Sequence, residues 1–337
     1  MTEELRNYLR CNIATDSMEN LCNSMNEIGP YVSGLALSNP MSTIRLHYYT
    51  FVSTRRNAYR QFHIPKKSGG VRTITAPDGE LKDIMLTLAF ILSELYIPSP
   101  EAMAFVRGRS IVENASQHIG QNYVLNLDLS DFFTSITANM VEHNLVKLGI
   151  SSLVARDIAT ICTYPMVTEH HVLNVVPQGA PTSPVISNIC AMTLDNRLSG
   201  LARRFHLTYT RYADDITFSS NHNVYQKDGE FMNELHRIIS ECHFTVNPQK
   251  TRLQKHGARQ EVTGLIVSEN PNVSRKYIKN LRAQIHRIIH QESPSMRDIN
   301  IVRGKLNFLR MVKGAGNPTY ISYIKKLNMA VKGKHLS

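Results

Sequence analysis

Three aspartates in this sequence could hold divalent metal ions. Asp214 and Asp215 are adjacent within residues 207–219, where β-branched and aromatic residues alternate with polar ones, a pattern typical of a β-hairpin. Neighbouring carboxylates at a hairpin tip repel each other, and bound cations remove this repulsion. A third acid, Asp128, follows the strand-like residues 123–127. Three acidic ligands around two metal ions predict a phosphoryl-transfer site.

Two further segments could bind a nucleotide. Residues 66–74 combine Lys66, Lys67 and Arg72 with two glycines, so a hairpin here could fold over a triphosphate, with Arg72 as the main contact. The alternative is a solvated basic turn. Residues 177–184 place Gln178 and Gly179 between prolines, so that Gln178 could form hydrogen bonds and Gly179 could permit close backbone approach. The alternative is a rigid turn before a helix.

The positive charge is concentrated at the C-terminal end. The formal net charge is +11, from 38 Lys and Arg against 27 Asp and Glu. From residue 275 onward there are 14 basic and two acidic residues, so this segment carries +12 and residues 1–274 carry −1. This distribution predicts a C-terminal surface for an acidic partner, of which nucleic acid is the commonest.

Composition also excludes some classes of protein. The five cysteines are scattered and lack metal-ligand spacing, so we expect free thiols in a reducing compartment. Glu3 and Glu4 stand where a signal peptide would be basic and then apolar. No apolar segment reaches the roughly 20 residues needed to cross a bilayer. We therefore predict a soluble, cytoplasmic protein that does not enter a membrane.

The elements that must position these residues alternate between strands and helices. We predict strands within residues 60–75, a helix over 80–95, helical structure over 137–165 and a strand pair flanking 168–171. A helix over 183–205 leads into the aspartate hairpin, and a helix over 227–242 precedes a short strand at 244–246. Residues 1–45 add a mostly helical extension. The pattern indicates the α+β class.

The basic C-terminal segment contains two predicted helices. Ser274 is a plausible N-cap for the first. Each helix has one apolar stripe opposite a basic face, formed by Ile278, Leu281, Ile285 and Ile288 in the first and by Val302, Leu306, Leu309 and Val312 in the second.

In their order along the chain, these motifs resemble those of reverse transcriptases. The resemblance covers about residues 45–335 and consists of the segments at 66–74, 127–133, 177–184, 212–215 and 247–251. It implies a right-hand polymerase fold with fingers, an antiparallel-sheet palm and a helical thumb. The implied boundaries are 1–45 for the N-terminal helical extension, 46–120 for the fingers, 121–264 for the palm, with which the fingers partly interleave, and 265–337 for the basic thumb.

The resemblance also implies roles for individual residues. Asp128, Asp214 and Asp215 would bind two Mg²⁺ ions, and Lys250 would protonate the leaving pyrophosphate. Phe133 would lie under the sugar of the incoming deoxynucleotide and exclude a 2′-hydroxyl. Lys66, Arg72, Gln178 and Gly179 would contact the dNTP. From the residues alone, Lys250 could be an exposed strand-end lysine, and Phe132 and Phe133 could be core aromatics.

Two short signatures narrow the resemblance to the enzymes of bacterial retrons. Residues 114–118 match Asn-Ala-x-x-His, and residues 262–264 match Val-Thr-Gly. The family associates these regions with its structured RNA, so Asn114, His118, Val262, Thr263 and Gly264 would contact nucleic acid. Read alone, Asn114 is a turn or cap residue and His118 a satisfied helix histidine. Four basic residues would grip the RNA or hybrid backbone: Lys276, Lys279, Arg282 and Arg287.

The resemblance implies an RNA-directed DNA polymerase that copies part of its cognate noncoding RNA into branched multicopy single-stranded DNA. It also implies an anti-phage defence system with an effector protein. Two alternatives stay open: another bacterial reverse transcriptase of the abortive-infection type, and a nucleic-acid-binding scaffold that restrains an effector. Replacing Asp214 and Asp215 by Asn distinguishes the last, because a scaffold would keep its function.

Overall fold

The chain begins with helices that pack on the long helix following the first hairpin. The computed structural model describes residues 3–14, 17–32, 40–66, 69–169, 171–291 and 293–334. The first elements are α1 (Glu3–Ile13), α2 (Met18–Ile28), a 3₁₀ turn (Gly29–Tyr31), α3 (Thr43–Tyr48) and α4 (Val52–Asn57). Helix α2 begins at Ser17, whose side chain accepts from the Asn20 N–H. Arg6 of α1 forms an ion pair with Glu94.

An antiparallel hairpin and a long buried helix come next. Strands β1 (Tyr59–Pro65) and β2 (Val71–Pro77) pair along their full length, and α5 (Gly79–Leu95) follows with Asp78 as its cap. Gly69 and Gly70 have φ values of 87° and 79°, which explains two adjacent glycines in the turn. The predicted strands and the predicted helix over 80–95 are confirmed.

The middle of the chain supplies most of the elements around the central sheet. In chain order these are α6 (Ile111–Ser116), β3 (Tyr123–Asp128), α7 (Ala138–Lys147), α8 (Ser152–Ile161), β4 (Tyr164–Val167), β5 (Val172–Val175), α9 (Ser183–Cys190), α10 (Met192–Arg204), β6 (Thr208–Tyr212), β7 (Asp215–Ser220), α11 (Glu230–Glu241) and β8 (Arg252–Lys255). The strand pair predicted around residues 168–171 is confirmed as β4 and β5.

The central sheet has the order β6-β7-β3-β8, and every neighbouring pair is antiparallel. The α+β class is therefore confirmed. The strand predicted at 244–246 is wrong: Val246 forms only an isolated bridge with Leu129. The chain turns again after Asn247, whose N–H donates to Asp128 O at 2.7 Å, and β8 then extends along β3.

Two predicted helices are divided in the structure. Residues 137–165 form α7 and α8 and then continue as β4, because Gly149 at φ 89° ends the first helix and Ser151 caps the second. The helix over 183–205 is interrupted at Ala191, between α9 and α10. Both pairs still bury their apolar faces in the main core.

The C-terminal part packs around a second apolar cluster, which also includes Ala115 of α6 and Val124 of β3. Its elements are β9 (Glu261–Val262), β10 (Leu265–Val267), β11 (Pro271–Asn272), α12 (Arg275–His290), α13 (Met296–Lys313) and α14 (Pro318–Lys334). The predicted stripes face inward, with Leu281, Leu306 and Leu309 buried, and Ser274 caps α12 as predicted. Helix α14 was not predicted, and it closes this core with Leu327.

All five cysteines are free, and Cys22, Cys162 and Cys190 are buried. Within the described ranges, no helix combines the length and apolar character needed to cross a membrane.

Candidate active site

The three aspartates lie at one edge of the central sheet. Asp128 at the end of β3 pairs with Asp215 at the start of β7, and Tyr212 pairs with Asp215 to close the β6–β7 hairpin. Ala213 and Asp214 therefore form a two-residue turn. Ala213 has φ 57°, as tight hairpin turns require at their first residue. The Leu129 N–H donates to Asp214 O at 3.0 Å, which ties the turn to the end of β3.

The electrostatics of this edge favour a bound cation. Desolvation raises the pKa of Asp214, and the charge of Asp128 adds to the effect. Desolvation, followed by the charges of Asp214 and Asp128, raises the pKa of Asp215 to about 6. Lys250 opposes both shifts, and its Nζ lies 2.7 Å from Asp128 Oδ1. An ammonium group thus already sits where positive charge is most stabilising.

The chemistry of these donors fits magnesium. Among the residues that the structure describes, no three His, Cys, Asp or Glu side chains are already arranged as a metal cage. The donors themselves are carboxylate oxygens, which Mg²⁺ prefers, and a divalent ion would offset the desolvation and the repulsion that raise the pKa values of Asp214 and Asp215. Asp128, Asp214 and Asp215 are the residues that would hold such ions.

The β1–β2 hairpin brings basic groups towards the carboxylates. Arg72 on β2 is exposed, and its charge lowers the pKa of Asp214. Lys66 is exposed at the hairpin turn, where its N–H donates to Gly70 O at 3.0 Å. Lys67 lies outside the described residues.

The loop at 177–182 packs directly on this hairpin. The Thr75 N–H donates to Gln178 O at 2.8 Å. Gly179 has φ 131°, and a Cβ there would lie 2.7 Å from Ile74 Cγ2 and 3.1 Å from Thr75 O. The close backbone approach expected at Gly179 is therefore present, but its partner is strand β2.

The two adjacent phenylalanines have different environments. Phe132 is buried and stacks on Phe244, with ring centroids 5.5 Å apart. Phe133 is half-buried and contacts Phe132 and Phe105 at centroid distances of 5.4 and 6.3 Å. Phe132 is thus the core aromatic, and Phe133 is the ring that keeps surface for a ligand.

The sequence was compared with known protein families and with individual proteins. Residues 64–278 match the family described as "Reverse transcriptase (RNA-dependent DNA polymerase)". The Retron Ec86 reverse transcriptase of Escherichia coli is 36% identical, with 85% of each chain covered. The Retron Mx65 reverse transcriptase of Myxococcus xanthus is 38% identical over 84% of this chain and 65% of its own length. The chain belongs to the retron reverse transcriptases.

This reverse transcriptase is accordingly an RNA-directed DNA polymerase, and its family generally uses divalent metal ions and dNTPs. Among solved structures, a telomerase from Candida albicans in complex with a fragment of telomeric RNA aligns with a TM-score of 0.47 at 11% identity. That alignment covers 81% of this chain and 56% of the telomerase. At this TM-score the structural similarity adds nothing to the family assignment.

A buried ion pair that the sequence reading missed supports the aspartate turn of the reverse transcriptase. Arg211 and Asp195 are both fully buried, and Arg211 Nε and Nη2 each donate to one Asp195 oxygen at 2.7 Å. Arg211 Nη1 also donates to Ala213 O at 3.1 Å, next to Asp214. Tyr209 donates its hydroxyl to Asp195 Oδ1 at 2.8 Å. An arginine inside a strand whose other residues are uncharged was the available signal.

The first retron signature lies inside the protein. His118 is completely buried, with Nδ1 2.7 Å from Ser219 Oγ and Nε2 2.7 Å from Thr210 Oγ1, so it joins β6 to β7. Desolvation lowers its pKa to about 3. Asn114 is buried as well, and its Nδ2 donates to Thr263 Oγ1 at 3.4 Å.

These positions correct part of the expected RNA contact. A side chain without exposed surface cannot touch RNA, so direct contact is wrong for Asn114, His118 and Val262 as the structure places them. Thr263 and Gly264 form the turn between β9 and β10, with φ 46° and 83°, and both retain exposed surface. Within the second signature, residues 262–264, only Thr263 and Gly264 can therefore contact a ligand.

The basic residues predicted on the first C-terminal helix face solvent. Lys276, Lys279, Arg282 and Arg287 are all exposed on α12. The opposite side of α12 is buried through Leu281. Their charges are thus free of the apolar core and available to an anionic partner.

Proposed function

We propose that this reverse transcriptase copies part of its cognate noncoding RNA into branched multicopy single-stranded DNA. The observation that carries the catalytic part is the pairing of Asp128 with Asp215 across two central strands, with Asp214 in the adjoining turn. Similarity to retron enzymes over 85% of the chain supports the choice of RNA and product.

Asp128, Asp214 and Asp215 would hold two Mg²⁺ ions, which when bound supply the positive charge that stabilises the oxygens of phosphoryl transfer. The raised pKa values of Asp214 and Asp215 support this, because desolvation and the neighbouring negative charges disfavour their ionised forms unless a cation is bound. Lys250 Nζ would donate a proton to the leaving pyrophosphate, and its place beside Asp128 puts it within the same cleft.

The remaining site residues would bind and orient the nucleotide. Arg72 and Lys66 would hold the triphosphate, and Gln178 would line the nucleotide pocket. Gly179 would keep that loop against β2, as its contact distances require. Phe133 would pack under the sugar, where a ring excludes a 2′-hydroxyl by steric conflict.

The proposed nucleic-acid partners are inferred from the retron family and from the positive charge of the C-terminal segment. We propose the cognate structured RNA and its DNA product as ligands of the Thr263–Gly264 turn and of a basic face formed by Lys276, Lys279, Arg282 and Arg287. The +12 charge of residues 275–337 supports backbone contact that weakens with salt. We also propose that the enzyme acts in the cytoplasm with an effector protein in defence against phage.

The proposed division of the chain separates the C-terminal helices from the rest. Residues 46–120 would be the fingers, 121–264 the palm and 265–337 the thumb, after an N-terminal extension over 1–45. The second apolar cluster, most of whose buried members lie on α12, α13 and α14, supports the thumb. The described helices of the extension pack on α5, and the ion pair between Arg6 and Glu94 supports their assignment as an addition to the fingers side.

Primer extension tests the proposal. The chain is expressed with its neighbouring noncoding RNA and supplied with dNTPs and Mg²⁺, and wild type is compared with the double variant Asp214→Asn/Asp215→Asn. An exposed loop acid, varied as Asp228→Asn, is the matched control. Small DNA covalently joined to RNA, absent only from the double variant, is the expected result.

The other outcomes separate the alternatives. DNA made on any RNA template without a branch would support the polymerase and refute the retron product. No synthesis on either template, with RNA binding intact, would favour the scaffold that restrains an effector.

A further inference from the structure

Phe105 combines an exposed ring with a strained backbone. Its side chain is 49% exposed, and its φ is 60°, in the left-handed region that bulky residues rarely adopt. Such strain destabilises the fold and persists only where the surroundings enforce it. An exposed aromatic ring buries little surface to offset this strain, so ligand binding is the better explanation for its position.

Arg109 holds the loop that contains Phe105. Its Nη1 atom donates to Ser99 O and Ala102 O at 2.6 Å and to Pro100 O at 3.2 Å. One guanidinium therefore fixes three carbonyls on the N-terminal side of Phe105. The loop cannot relax without breaking these bonds.

The same loop is attached to the aspartate hairpin. The Met103 N–H donates to Arg211 O at 2.8 Å, on strand β6. Asn188 Nδ2 donates to Ala104 O at 2.9 Å, and Asn188 Oδ1 accepts from Arg211 Nη2 at 3.2 Å. The residues directly before Phe105 are thus held by the Arg211 carbonyl and by Asn188, which also accepts from the Arg211 side chain that supports the turn before Asp214.

This attachment aims Phe105 at the active-site cleft. Its ring lies 6.3 Å from the ring of Phe133, at an interplanar angle of 46°. Phe133 is five residues after Asp128 and is only half-buried. The two rings together form a continuous apolar surface with area left for a further planar or apolar group.

We propose that Phe105 is a nucleotide-contacting residue, and that its ring and that of Phe133 form one wall against which the sugar and base of the incoming deoxynucleotide pack. This inference rests on the proposed function, which places the nucleotide beside Phe133. The strain at Phe105 is then the cost of presenting the ring in the cleft before the nucleotide arrives.

The test compares stability with nucleotide affinity in four variants. Phe105→Ala and Phe105→Gly remove the ring, Phe105→Tyr restores it, and Tyr48→Ala removes an aromatic side chain of similar exposure on α3. We expect the Ala and Gly variants to raise the KM for dNTP about tenfold, the scale of one aromatic stacking contact. Their affinity for the noncoding RNA should be unchanged. Phe105→Tyr and Tyr48→Ala should retain the wild-type KM.

Thermal unfolding supplies the second readout. Glycine adopts positive φ without strain, so Phe105→Gly should melt a few degrees above Phe105→Ala while binding nucleotide equally poorly. A purely structural role would instead leave KM unchanged, or would lower Tm and kcat in parallel, and either result overturns the proposal.

Direct binding keeps this inference separate from the proposed function. Titration of each variant with fluorescent dATP measures nucleotide affinity whether or not DNA is made. If wild type makes no DNA, the proposed function fails, and the dATP titration still decides the role of Phe105. Equal dATP affinity in wild type and Phe105→Ala would refute the contact.

Discussion

The buried histidine at position 118 should make the reverse transcriptase sensitive to mild acid. His118 has no exposed surface, and its pKa is about 3 in the folded protein against 6.5 for an ordinary histidine. Between these two values the unfolded chain binds a proton at this position and the folded chain does not. The stability that neutral His118 contributes is therefore fully present above pH 6.5 and is lost as the pH falls below that value.

The size of the effect follows from the same two values. Each pH unit below 6.5 costs about 1.4 kcal/mol, so protonation of the unfolded state at position 118 should remove about 2 kcal/mol at pH 5. Typical domains have only about 5–15 kcal/mol of stability. One side chain would thus account for a measurable part of the acid lability of a chain with 14 histidines.

Urea unfolding at pH 7.5, 6 and 5 measures this contribution. His118→Gln keeps a donor and an acceptor for Thr210 and Ser219 but cannot titrate, so its stability should fall less between pH 7.5 and 5, by about 2 kcal/mol relative to wild type. His236→Gln, at an exposed position of α11, is the control and should follow wild type. Parallel curves for wild type and His118→Gln would refute the reasoning.

Three other substitutions test the site. Arg211→Lys keeps the charge but loses several of the buried donors; urea unfolding should show a loss of about 2–4 kcal/mol, and primer extension at least a tenfold lower kcat. Gly179→Ala should cost about 1–3 kcal/mol, because its Cβ meets Ile74, and more than Gly70→Ala, where nothing lies within 4 Å. Asp215→Asn should stabilise the metal-free protein at pH 7.5 by about 1 kcal/mol after solvent screening, seen as a higher melting temperature, because the pKa of about 6 marks an unfavourable charge. Mg²⁺ should then stabilise wild type more than the variant.

Local patterns were sufficient to predict much of the fold. The alternation in residues 207–219 predicted β6 and β7, and the stripe from Ile278 to Ile288 predicted α12 with its Ser274 cap. Helix α14 was missed although Tyr320, Ile324, Leu327 and Val331 recur at spacings of 4, 3 and 4 and pack on the second apolar cluster. Strand β8 is short and polar, so its assignment depends on pairing with β3, which is a property of the folded chain.

Only some residues of the candidate site were predicted correctly from the sequence, for a similar reason. The aspartates are conspicuous because two acids at a hairpin tip have few structural uses. Burial of a polar side chain is different, since it depends on distant partners. Arg211 meets Asp195 through bonds that span 16 residues, and His118 meets Ser219 across 101. No local spacing distinguishes such residues from exposed ones, and for His118 this led to a wrong prediction of RNA contact.

The aspartate hairpin is held by polar groups on both of its faces, and its turn explains why this is needed. Thr210 and Arg211 are consecutive on β6, so their side chains point to opposite faces, the first towards His118 and the second towards Asp195. Apolar packing is not directional, whereas hydrogen bonds fix both distance and orientation. A tip that holds two repelling carboxylates would move under packing alone. Because neither clamp contacts solvent, the position of Asp214 is set before any ion or nucleotide arrives, which is the preorganisation that phosphoryl transfer requires.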